Sequence, residues 1–364
     1  MKKAFFVFLF IFLFAFTVSA DAKDDILGEF EFSGIYDAIG DEAKAELGTV
    51  EDFKVPTSGS LLTYLSSALF SLIKPMLADV AAVFCYIVIA ALIKHTALIS
   101  GTDGVMKASE LALLLALASL CFVNVKADFE SVSEFLMQIK AYFVSAIPIM
   151  SGMYALGGNV GVAAASGASS SVILSLVEVI AESVIMPSAR LCFAMMLAGA
   201  MSPDINLSPV ASFIKNFISK SLSLVMGLIA SGMLLSCKLA AASDSVAVRV
   251  MKFSASSFIP IVGGAVSEAT ATVLSALSLV KSSFGIFGIA AILYILLPIF
   301  LKIVLHRLVY LAASSFASGL GCNSEGAFLK DISEIYGIVI SAIVSVSICF
   351  ILSLAVFINT TAVR

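Results

Sequence analysis

The residues best placed to do chemistry in this 364-residue chain are two carboxylates and a guanidinium inside an apolar stretch. Glu178 and Glu182 stand four apart, on one face of any helix that carries them, and Arg190 follows two turns later. Ionisable groups at membrane depth are costly, and their default reading is functional, as an ion or proton path. The alternative is an internal Glu/Arg pair that locks two helices together. Glu268, four residues past Gly263-Gly264, either lines a polar pathway or bonds to neighbouring Ser and Thr hydroxyls.

Enzyme chemistry has little to work with. There is no HExxH, no GxGD aspartyl pair and no Walker or Rossmann glycine pattern, and Gly101-Thr102-Asp103-Gly104 lacks the flanks of an aspartyl protease motif. The chain has only two histidines, His95 and His306, each beside a basic residue at the end of an apolar run, the ordinary place for an interfacial anchor. Six cysteines (Cys85, Cys121, Cys192, Cys237, Cys322 and Cys349) show no CxxC spacing, so they read as small buried hydrophobes and not as a zinc or disulfide framework. No metal, nucleotide or other cofactor is expected, and energy for any transport must come from a partner or an ion gradient.

The elements that must position these groups are membrane helices. Hydrophobic residues make up 60% of the chain and charged ones 13%, about half the charge of a soluble domain. The net charge of −4 has no basic cluster that suggests nucleic acid. Met1-Lys2-Lys3, an apolar run over 4–16 and Val18-Ser19-Ala20 have the zones of a secretory signal peptide, residues 1–20. Residues 21–60 are acidic and should lie outside the cytoplasm, as a short ordered segment or a solvated spacer.

Residues 61–364 read as a polytopic domain. Residues 61–73 suit an interfacial helix ending at Lys74-Pro75, and 76–93 suit a span closed by Lys94-His95. Lys94 and Lys107 then fall on the cytoplasmic side. Residues 110–123 return, and 126–140 form an amphipathic helix on the outer surface, with Phe129, Val132, Phe135, Leu136 and Ile139 on one face. Residues 172–200 are too long for one straight span and contain Pro187, so they form a kinked helix or two short ones. Further spans are expected over 221–242, 284–305 and 338–358, with a Ser/Gly-rich loop over 312–324. Seven or eight transmembrane helices follow the signal peptide, in an all-α fold.

Residues 254–283 are mostly Gly, Ala, Ser and Thr, a composition that lets helix backbones approach closely within a membrane. Pro260 followed by Gly263-Gly264 predicts a break there. A similar Ile-Pro-Ile occurs at Pro148, with Gly152 matching Gly264, Pro187 matching Pro298, and Phe213-Ile214-Lys215 matching Phe328-Leu329-Lys330, at offsets of 111 to 115 residues. This spacing suggests an internal duplication of 137–241 and 249–358, with the two Ile-Pro-Ile turns meeting near a pseudo-symmetry axis. The carboxylates are not duplicated, which disfavours a symmetric ion-coupled site.

The run Ser256-Ser-Phe-Ile-Pro-Ile-Val-Gly-Gly-Ala-Val-Ser-Glu-Ala269, with Thr272-Val273, Leu279-Val280-Lys281 and Gly285-Ile286-Phe287-Gly288 after it, resembles the signature of the stage III sporulation protein AE family. The resemblance implies a membrane component of the channel-like, secretion-related complex that joins mother cell and forespore during endospore formation, in the mother-cell membrane surrounding the forespore. It implies as partners other membrane proteins of that complex, including a separate ATPase and ring-forming subunits. The duplication and the broken helices also suit a stand-alone secondary transporter for a small solute or ion.

Overall fold

The computed structural model describes residues 32–39, 41–50, 58–100, 103–157, 160–179, 183–184, 186–201 and 263–359, with scattered positions between 210 and 235. Among them the fold is all helical, with no strand. In chain order the helices are α1 Ser33–Ala38, α2 Asp41–Leu47, α3 Ser58–Ser100, α4 Asp103–Leu156, α5 Val160–Glu178, α6 Met186–Met201, α7 Gly263–Gly319 and α8 Asn323–Asn359. Helices α3, α4, α7 and α8 each contain a stretch long and apolar enough to cross a membrane.

These four helices set the frame. Tyr64 and Tyr294 bring their rings within 4.4 Å, and Phe84 and Phe316 within 5.3 Å, so α3 and α7 run in the same direction. Phe143 stacks on Phe350 at 3.9 Å and Tyr154 meets Phe357 at 5.1 Å, so α4 and α8 run together in the opposite direction. The core between them is aromatic and aliphatic, with Tyr142, Phe284, Phe287 and Phe350 fully buried. At 57 and 54 residues, α7 and α4 are each about 80 Å or more in length, against a hydrocarbon layer of about 30 Å. Neither fits within the hydrocarbon alone.

Several boundaries differ from the sequence expectation. The interfacial helix and span expected over 61–93 form one helix, with Pro75 inside it. The return expected over 110–123, the surface helix over 126–140 and the first Ile-Pro-Ile stretch form the single helix α4, which holds Pro148 and ends at Leu156. The reason lies in packing: Phe129, Val132, Phe135, Leu136 and Ile139 are buried against other helices, leaving Glu130 and Glu134 exposed on the outer side. Pro148 is exposed, where its ring stands clear of the core. No turn forms at this first Ile-Pro-Ile; the second, at Pro260, lies outside the described residues.

The loop expected over 312–324 shrinks to a tight turn. Helix α7 continues to Gly319, and Gly321 takes a positive φ of 82° that lets the chain reverse into α8. Cys322 N–H donates back to the Ala317 carbonyl at 2.9 Å, which closes the turn. The stretch 172–200 does divide in two, at Glu178 and Met186, with Pro187 in the first turn of α6, where its missing N–H is not needed. Pro298, its proposed repeat equivalent, sits deep inside α7. Those two markers of the duplication therefore occupy different structural settings.

Part of the acidic segment is ordered against the bundle. Phe32 meets Phe284 at 5.9 Å, Tyr36 meets Phe287 at 6.3 Å, and the Val50 N–H donates to the Tyr36 hydroxyl at 2.6 Å.

Candidate functional site

The strongest concentration of chemistry lies on α4, α7 and α8. Asp128 belongs to the buried face of α4, one turn before Val132, and is 1% exposed. Lys302 and His306 are four apart on α7, so both reach the same level of the bundle. Lys302 Nζ lies 3.1 Å from Asp128 Oδ1 and donates to the Ser131 hydroxyl at 2.9 Å. From α8, the Tyr336 hydroxyl donates to Asp128 Oδ2 at 2.5 Å.

His306 Nδ1 stands 2.6 Å from the same Oδ2, close enough for charge contact yet out of line for a hydrogen bond. Its Nε2 is buried without a hydrogen-bond partner among the described residues. The rings of His306, Tyr310 and Tyr336 lie 5.5 to 6.4 Å apart and seal the cluster on its inner side. Lys302, at 29% side-chain exposure, gives it contact with the surface. One carboxylate thus holds three helices through an ammonium, a phenol and an imidazole. The arrangement can lock those helices in register.

Arg190, on α6, is exposed and lines a groove of about 610 Å³ with Asp37, Ala38, Glu130, Ser133, Glu134, Met137, Gln138 and Ala141. Asp37 of the acidic segment and Glu134 of α4 thereby share one surface. Glu178 ends α5, but its side chain and all of Glu182 fall outside the described residues, as does the Glu268 side chain in the opening turns of α7. Gly263 and Gly264 are the first residues of α7, whereas Gly152 is half-buried near the end of α4. Of the sequence-chosen residues, the described Pro148, Gly152 and Arg190 stand outside the Asp128 cluster.

Small-residue packing is visible in the core at two glycines of α7. A Cβ added to Gly288 would meet the Tyr142 hydroxyl at 2.7 Å and Leu354 Cδ1 at 2.8 Å, and one added to Gly285 would overlap Ile358. These glycines let α7 come close to α4 and α8. Of the described cysteines, Cys121, Cys192, Cys322 and Cys349 are buried and Cys85 is exposed. Among the described residues no three His, Cys, Asp or Glu side chains converge as metal ligands.

Comparison with known proteins bears on what this architecture serves. The family model for stage III sporulation protein AE matches residues 51–361. The chain belongs to that family. It is also 25% identical, over 230 residues, to the stage III sporulation protein AE of Bacillus subtilis (strain 168). That alignment covers 62% of this chain and 57% of the relative, so it spans little more than half of the relative's length. No solved structure matches the chain. Gly285 and Gly288, which belong to the run that carries the family resemblance, both lie at close helix contacts.

Proposed function

We propose that this chain is an integral membrane subunit of the complex that joins mother cell and forespore during endospore formation, and that it supports gene expression and development in the forespore. The family match over residues 51–361 carries the reading. It is supported by four long apolar helices, with buried or half-buried charged groups such as Asp128 and Lys302 tying helix to helix. In this role the chain is a platform or conduit component of the mother-cell membrane around the forespore, not an enzyme. A separate ATPase and ring-forming membrane subunits work with it. Residues 1–20 are its signal peptide, 21–60 lie outside the cytoplasm, and further spans beyond the four long helices bring the total to seven or eight.

The Asp128 cluster gives the rival reading, a self-contained secondary transporter, one concrete observation in its favour: a buried acid–imidazole contact of the kind a proton relay uses. Affinity purification of the tagged chain from sporulating cells separates the two. The complex reading expects the ATPase and ring-forming proteins to co-purify, and expects vesicles holding this chain alone to show no gradient-driven uptake. Uptake by the chain alone, with no such partners recovered, contradicts it.

A further inference from the structure

A second charged cluster lies at the α7–α8 turn, about 27 Å along α4 from Asp128. Its first carboxylate, Glu110 of α4, is well supplied. Lys94 of α3 places Nζ 2.9 Å from Glu110 Oε1, and the Ser324 hydroxyl donates to the same oxygen at 2.7 Å. The second carboxylate, Glu325 in the first turn of α8, is 0% exposed, and neither of its oxygens has a hydrogen-bond partner among the described residues. Its nearest cation is again Lys94, with Nζ 3.7 Å from Oε2, too far for a hydrogen bond. One ammonium serves two carboxylates and sits closer to the one with access to solvent.

The other groups around Glu325 do not correct the imbalance. Tyr86 of α3 and Cys322 of the turn lie within its electrostatic reach, and neither is cationic. Tyr86 gives its hydroxyl proton to the Leu113 carbonyl, and the Gly326 N–H is spent on the Cys322 carbonyl. The N-terminus of α8 contributes a partial positive charge only. A fully buried carboxylate in such a setting takes up a positive charge, because uncompensated burial of an ion is far costlier than binding a counterion.

We propose that Glu325 binds a small monovalent cation, a proton or a sodium ion, at the junction of α3, α4 and the α7–α8 turn. The bound cation completes the charge balance with Glu110 and Lys94 and holds the turn against α3 and α4. Ser314, whose hydroxyl donates to the Gly326 carbonyl at 2.7 Å, clamps the same turn from α7.

The test uses the full chain in detergent, with thermal stability followed at constant ionic strength. Sodium is replaced by choline, and pH is varied from mildly acidic to mildly alkaline. A sodium site raises Tm with sodium at fixed pH. A proton site raises Tm as pH falls in choline, and the gain is lost as pH rises. Glu325→Gln, of the same shape and without charge, should lose whichever dependence the native chain shows, while Glu110→Gln keeps it. Lys94→Met removes the competing ammonium and should lower the sodium or proton concentration needed by roughly tenfold or more. A native chain indifferent to both cations, or a dependence that survives in Glu325→Gln, overturns the proposal. If Glu325→Gln fails to accumulate, an unchanged dependence in Lys94→Met overturns it instead.

Discussion

Asp128 on α4 and His306 on α7, 178 positions apart in the chain, bring Oδ2 and Nδ1 to 2.6 Å inside the bundle. Lys302 and Tyr336 hold the same carboxylate from two further directions, so the long helices meet at a polar node within an otherwise apolar core. Removing Asp128 strands a lysine and an imidazole, whereas removing Lys302 leaves the acid with its phenol.

Asp128→Asn should therefore lower thermal stability in detergent. The expected cost is at or below the low end of the roughly 3–5 kcal/mol seen when a buried pair loses one partner, because Lys302 keeps some solvent. Asp128→Asn combined with Lys302→Met should recover part of that loss. Calorimetry of the single and double variants measures the coupling; strictly additive effects would mean the two groups act independently.

Gly288→Leu should prise α7 from α4 and α8. Overpacking of this kind costs about 1–3 kcal/mol, and here the added atoms meet Tyr142 and Leu354 directly. The control is Leu352→Ala on the exposed side of α8, where little should change. Ala355, three residues further along α8, is half-buried and makes a poorer control. Immunoblots of membrane fractions must show comparable levels, and a normal melting temperature for Gly288→Leu would refute the close-packing account.

Asp37 and Glu134 line one groove, so the acidic segment and the middle of α4 are expected to share a side of the membrane. In a background lacking the six native cysteines, Asp37→Cys and Glu134→Cys should cross-link with a short bifunctional maleimide and react with an impermeant reagent applied from outside. Lys107→Cys should stay protected. Labelling of position 107 from outside would reverse the topology.

The mature chain is expected to begin at Asp21, and N-terminal sequencing of the membrane-bound protein checks it. An intact Met1 would instead make residues 1–20 an anchor.

What the sequence revealed depended on how local the determinant was. The break before α6 was readable because Pro187 acts on its own turn. The continuity of α4 was hidden, since Pro148 and the charged residues around Lys126 look like punctuation until Phe129, Val132 and Phe135 find partners. The Ser/Gly-rich end of α7 looked like a loop because local propensity favours one; Ser314 instead stays helical by packing, with its hydroxyl on the Gly326 carbonyl. The Asp128 node needed three helices and was not read at all. A signal did exist: Asp128 interrupts an apolar helical face, and Lys302 and His306 share one face of another. The sequence pointed to small-residue packing at Gly152, Gly263 and Gly264; the structure shows close helix contacts of this kind at Gly285 and Gly288, while the surroundings of Gly263 and Gly264 lie outside the described residues.

The most direct test of the central claim is the titre of heat-resistant spores from cells that lack this chain. The account predicts normal vegetative growth, a block after the forespore has formed, and rescue by the native chain but not by Gly288→Leu present at equal abundance in the membrane. A deletion strain that yields spores at the parental titre would contradict it.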